Sequence, residues 1–175
     1  MRKFDTKTLV ATALGTALFM VLFMFVKVPS PIPETNLQIA YGISTFFSII
    51  YGPVCGAIVA FVGHALSDFI SYGSPWWSWV IASGVSGLIC GFAKTNLWDA
   101  RISKQDLVSF IIFTVIANAV AWIGVAPILD IVMYGEPTDL VFAQGFIAFA
   151  MDAIVSLVVG GALLYGFTKT KVARD

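Results

Sequence analysis

Apolar runs long enough to cross a bilayer dominate this chain and leave few folds open to it. The first, Thr8–Val28, meets the roughly 17–25 residues a helix needs to span the hydrocarbon core. Five more follow: Leu37–Tyr51, which is short, Val54–Ser71 after the Gly52-Pro53 break, Trp76–Ala93, Leu107–Leu129 with Pro127 near its end, and Val141–Phe167. In lipid each backbone N–H and C=O must be satisfied within the protein, so such runs read as helices. Composition agrees. The chain is 59% hydrophobic and 11% charged, against about 25% charged in soluble domains. The expectation is an all-α integral membrane protein with six transmembrane helices in a single domain over residues 1–175. Thr8–Val28 exceeds the roughly 7–15 apolar residues of a signal peptide, so it reads as a retained helix.

Lys and Arg set the orientation. With six crossings, Arg2, Lys3, Lys7, Lys94, Arg101, Lys104, Lys169, Lys171 and Arg174 fall on one side and Lys27 alone on the other. Basic loops stay in the cytoplasm, so both termini are expected there, in a bacterial cell membrane. Net charge is zero and gives no sign of a nucleic-acid partner.

The polar residues inside these runs carry the functional signal, because an ionisable group in lipid is costly and defaults to a functional site. They centre on Gly63–Trp79, GHALSDFISYGSPWWSW. His64, the only histidine, and Asp68 share one helix face at i, i+4. After the Tyr72-Gly73-Ser74-Pro75 break come Trp76, Trp77 and Trp79. These three cover more than half a helical circumference, so at least one must face inward. Asp152 falls near the middle of the sixth run, Asn118 midway along the fifth and Gln144 near the outer start of the sixth. These polar groups cluster in the outer half of the bundle, which implies a pocket open outward and closed below. Each also has a plainer role: His64–Asp68 as a clamp between helices, Asp152 as a bond to a neighbouring helix, the tryptophans as an interfacial belt. The acidic stretch Asp130–Leu140 reads as an outer loop, and Ser103 with Asp106 as a capping box.

Ala11/Gly15 and Ala13/Ala17 are small-xxx-small pairs that let another helix approach closely, inside the protein or from a partner. Several functions lack their motifs. No P-loop, H-E-x-x-H or G-x-S-x-G is present. One histidine cannot build a multi-histidine metal site, and Cys55 and Cys90 form no redox or metal motif and read as packing residues. No metal, cofactor or catalytic residue is expected. Two rival classes stand beside a binding protein. One is an intramembrane enzyme with His64 as base, Asp68 orienting it and Ser67 or Ser71 as nucleophile; the other is a structural membrane protein without a ligand.

The stretches VPSPIPETN (Val28–Asn36), GHALSD (Gly63–Asp68) and YGSPWWSWV (Tyr72–Val80), with ALGTA in the first helix, resemble S components of energy-coupling factor (ECF) transporters. The resemblance is to the riboflavin-transporter-like family of Firmicutes and covers essentially the whole chain. It implies a subunit that captures a vitamin or vitamin precursor, with hydroxymethylpyrimidine first and cobalamin second. It further implies docking on a transmembrane T subunit with two ATPase subunits that hydrolyse ATP and topple the S component. Ala13 and Ala17, with Ala11 and Gly15 beside them, map onto the docking face, and Val28–Asn36 onto a lid. The expected substrate-binding residues are His64, Asp68, Tyr72, Trp76, Trp77, Trp79, Asn118, Gln144, Asp152 and Asn36.

Overall fold

The structure, a computed structural model, describes residues 5–33, 35–93, 95, 97 and 102–170. Six continuous helices run through them: α1 (Thr6–Phe25), α2 (Ala40–Tyr51), α3 (Pro53–Tyr72), α4 (Trp77–Cys90), α5 (Lys104–Tyr134) and α6 (Thr138–Phe167). α1, α3, α5 and α6 are long and apolar enough to cross a membrane. At 1.5 Å per residue, α2 and α4 reach only about 18 and 21 Å, short of a bilayer core.

Local chemistry fixes the helix ends. The Asp5 carboxylate accepts the Thr8 amide at 2.9 Å and starts α1. Pro53 opens α3 after Gly52, and Gly73, at φ 82°, closes it in a left-handed cap that a side chain would strain. The Ser103–Asp106 capping box forms as its residue pattern predicts.

Two expectations are corrected. The body is helical, but Val28–Asn36, whose Pro29, Pro31 and Pro33 predict a stiff extended polyproline-like segment, is part of a strand pair. Strands β1 (Lys27–Pro29) and β2 (Asn36–Gln38) pair antiparallel, with Lys27 opposite Gln38. The connection folds back because the Ser30 amide donates to the Thr35 carbonyl at 3.1 Å. The ribbon takes the first turn of the expected second helix, which starts at Ala40.

The fifth helix does not stop near Pro127. It passes through a π-helical stretch, Ala119–Val125, and continues to Tyr134. Proline lacks an amide and crowds the carbonyl four residues before it; the widened turn upstream absorbs that defect, and such bulges gather at functional sites. Asp130 is therefore a helix residue and only 2% exposed. The link to α6 shrinks to Gly135-Glu136-Pro137.

The helices close tightly at one end. A Cβ on Gly56 would strike the Ser48 side chain and the Gly87 carbonyl, and one on Gly91 would strike the backbone at Pro53. Gly42 leaves room for Val159 of α6. The buried cysteines belong to this packing. The Thr12 hydroxyl donates to Cys55 Sγ at 3.2 Å, and Cys90 lies beside Thr45. Lys7, Lys104 and Lys169 mark this closed end, and Lys27 the other. Arg2, Lys3, Glu34, Lys94, Arg101, Lys171 and Arg174 lie outside the described residues.

Candidate binding site

At the opposite end the helices stand apart around a cavity of about 480 Å³, roofed by the β1–β2 ribbon. That volume lies in the lower half of the roughly 300–1,000 Å³ usual for small-molecule sites. Eight of the ten expected residues line it: His64, Asp68, Tyr72, Trp76, Trp79, Gln144, Asp152 and Asn36.

Trp77 and Asn118 do not. Trp77 points outward, with its ring 6.2 Å from Phe61. Asn118 is fully buried beneath the wall. Its Oδ1 accepts the Trp122 indole N–H at 3.0 Å, while its own amide donates to the Thr114 carbonyl at 2.9 Å. It positions a wall residue from behind.

Four carboxylates line the cavity, Glu136 from the α5–α6 link and three aspartates from three helices, and the partners of the aspartates divide their roles. Asp68, on α3, accepts the Trp76 amide at 3.0 Å and sits 3.5 Å from His64 Nε2. It thereby receives the start of α4, where the anion and the helix dipole attract. Asp130, on α5, accepts the indole N–H groups of Trp76 at 2.7 Å and Trp79 at 2.6 Å, and the Ser78 hydroxyl as well. One buried anion thus orients two aromatic walls by charge-assisted hydrogen bonds. Asp152, on α6, is 2% exposed, and its Oδ1 has no hydrogen-bond partner among the described residues. Gln38 Oε1, on β2, is likewise buried and unpartnered.

His64 is held from both sides. Its Nδ1 lies 2.7 Å from Ser83 Oγ, which also meets the Tyr41 hydroxyl at 2.9 Å and donates to the Trp79 carbonyl. Its ring packs 4.3 Å from Phe23. The expected clamp is present, and it borders the cavity too. The hydroxyl of Ser67 donates to the Gly63 carbonyl at 2.7 Å, so it is engaged with backbone. Ser71 lies on the wall near the mouth.

The aromatic wall extends beyond the expected residues. Trp79 stacks on Trp122 at 5.6 Å and 23°, and Tyr41 meets Trp122 edge-on at 5.1 Å. Trp76 packs 4.5 Å from Tyr134. Gln144 donates its amide to the Pro33 carbonyl at 3.0 Å and ties α6 to the ribbon loop. Sequence reasoning missed Asp130, Trp122, Tyr41 and Gln38. An aspartate four residues before a tyrosine at an apolar helix end was the available signal for Asp130. A lone indole within a run gives none for Trp122.

The small-residue pairs of α1 separate by face. Ala11 and Gly15 are buried, with Phe47 and Val59 about to touch any Cβ on Gly15. Ala13 and Ala17 are exposed on the other side.

The family described as ECF-type riboflavin transporter, S component, matches residues 3–169. A UPF0397 protein of Streptococcus agalactiae is 45% identical over 167 residues, covering 94% of this chain and 92% of that protein. One from Lactobacillus acidophilus is 42% identical over 172 residues, covering 97% and 93%. Among solved structures, the S component for biotin from an ECF-type ABC transporter superposes with a TM-score of 0.65. It is 17% identical, and the match covers 94% of this chain and 92% of that one, a likeness of fold.

Proposed function

The chain belongs to the S-component family of ECF-type riboflavin transporters, and on that premise we propose that it is the substrate-capture subunit of an ECF importer for a vitamin or vitamin precursor. The observation that carries the reading is the cavity itself. It is open at one end, aromatic on its α4–α5 side, supplied with polar groups from four helices and the ribbon, and sealed below by glycine contacts. Small-molecule sites have that make-up, apolar walls with a few placed polar groups.

In this reading all six helices form one domain crossing the cytoplasmic membrane, with both chain ends in the cytoplasm and the cavity opening outward. The distribution of Lys and Arg supports that orientation. Ala13 and Ala17 form the face that meets a T subunit, because small residues let a partner helix approach. Two ATPase subunits supply the energy that topples the protein and turns the cavity inward. The ribbon is the lid, and the Gln144–Pro33 bond is a latch that must break for it to lift.

Hydroxymethylpyrimidine is the preferred substrate and cobalamin the second choice. A cavity of about 480 Å³ suits a single substituted ring better than a whole corrinoid. The test is reconstitution with a T subunit and two ATPases, followed by ATP-dependent uptake of each labelled compound. Uptake of the pyrimidine, lost when the S component is omitted, supports the proposal. Absence of uptake of any vitamin in a complex that does assemble overturns it.

A further inference from the structure

One hydroxyl behind the cavity wall has more partners than it has hydrogens. Ser83, on α4, is fully buried and does not itself line the cavity. Its Oγ lies 2.9 Å from the Trp79 carbonyl, 2.9 Å from the Tyr41 hydroxyl of α2 and 2.7 Å from His64 Nδ1 of α3. Those three residues do line the cavity. A serine hydroxyl supplies one hydrogen and two lone pairs. The Trp79 carbonyl can only accept, so the single hydrogen goes there, the familiar bond of a helical serine to the carbonyl four residues back. The other two partners then each supply a hydrogen, Tyr41 from its hydroxyl and His64 from Nδ1. Any other assignment sets two lone pairs face to face in one of the three contacts, and a buried polar group left without its bond is costly.

We infer that Ser83 is a positioning residue: it holds the hydrogen of His64 on Nδ1 and takes the hydrogen of Tyr41, so that a ligand meets His64 only through Nε2 and Tyr41 only through a lone pair. Only the ligand's part in this rests on the capture role proposed above. The bond made by one imidazole nitrogen sets the state of the other. Asp68 pulls the opposite way, because a carboxylate accepts and would draw the hydrogen to Nε2. It is the more distant partner. Its Oδ1 stands 3.5 Å from Nε2, beyond the usual hydrogen-bond range, against 2.7 Å at Ser83. Tyr41 makes no other side-chain hydrogen bond among the described residues. Its ring is wedged edge-on against Phe19 at 5.4 Å and Trp122 at 5.1 Å, which keeps its hydroxyl on Ser83. One buried serine thus chooses, through two other side chains, which atoms the wall offers.

The experiment is nitrogen-15 NMR of the full chain in lipid nanodiscs, labelled at histidine and purified without a histidine tag. His64 is the only histidine, so every ring signal belongs to it. A ring nitrogen that bears hydrogen resonates far from one that does not. In the parent, Nδ1 should fall in the hydrogen-bearing range. In Ser83→Ala, Asp68 is the partner that remains, and Nδ1 should move to the hydrogen-free range. A hydroxyl that merely filled space would leave the ring nitrogens where they were. Binding of aminohydroxymethylpyrimidine should weaken roughly tenfold in the same variant, about the worth of one hydrogen bond. A hydrogen-free Nδ1 in the parent overturns the inference. So does an Nδ1 that stays in place in Ser83→Ala, or a shifted Nδ1 with binding as tight as the parent's. Should the variant fail to fold, the parent spectrum alone decides. A parent that binds no pyrimidine would tell against the substrate proposed above, with the spectrum still deciding the state of His64.

Discussion

The two ends of the helical bundle are built by opposite choices of side chain. At the closed end α3 and α4 meet through Gly56 and Gly87, with no room for a single added carbon. Toward the other end the same two helices, with Trp76 capping α4, carry His64, Asp68 and Trp79, and polar ties to α2 and α5 fix these groups around a cavity. One end is held by contact and the other by directed hydrogen bonds. The two should therefore fail differently: the closed end by overpacking, the cavity end by loss of a polar anchor.

The largest effect is expected at the closed end. Gly87→Val puts carbon against the backbone of Gly56, where no flexible side chain can yield. It should cost about 3 kcal/mol, the upper part of the usual overpacking range. Thermal unfolding of the purified protein reads this directly. A variant as stable as the parent would mean that the helices can part there, and the contrast between the ends would fail.

Asp130→Leu should come next. It strands two indole N–H groups and a hydroxyl, each of which costs about 1–3 kcal/mol if it stays buried and unpaired. Some will find water in the cavity, so a loss of roughly 2 kcal/mol is expected. A shift in tryptophan emission should accompany it, since the rings lose their anchor. Emission and melting temperature both unchanged would show that Asp130 does not position the wall.

Those two sites also show what the sequence could and could not reveal. The helical class and the rough extent of the long helices were legible, because long apolar runs punctuated by Gly-Pro and Tyr-Gly-Ser-Pro leave little choice. The ribbon was not, since three prolines in nine residues read equally as a stiff extended strap; the pairing depends on the return of Asn36–Gln38. Asp130 was misplaced because an acid beyond a proline reads as a loop, and the π-helical accommodation of Pro127 leaves no signature in composition. His64, Asp68 and Asp152 were legible as polar residues in apolar surroundings. Which of them keeps an oxygen without a hydrogen bond was not, because that depends on what the neighbouring elements present.

The smallest effect on the protein itself is expected on α1. Ala13 faces outward, so Ala13→Trp should leave stability and ligand affinity within about 0.5 kcal/mol of the parent, as surface changes usually do. It should nevertheless abolish co-purification with a T subunit. Gly15→Trp should instead destabilise the isolated protein, because Phe47 and Val59 lie 2.9 and 3.0 Å from where its Cβ would stand. If Ala13→Trp still assembles, the docking face lies elsewhere on the bundle.

The central claim is that the cavity end is a binding site walled by the inward tryptophans. It is tested most directly by titrating aminohydroxymethylpyrimidine against intrinsic fluorescence in Trp79→Phe and Trp77→Phe. Trp79 lines the cavity and stacks on Trp122, whereas Trp77 points away. Trp79→Phe should weaken binding by roughly 1–3 kcal/mol, the range for loss of an aromatic stacking partner, and Trp77→Phe should bind and quench like the parent. Weakened binding in Trp77→Phe with Trp79→Phe unaffected would contradict that claim.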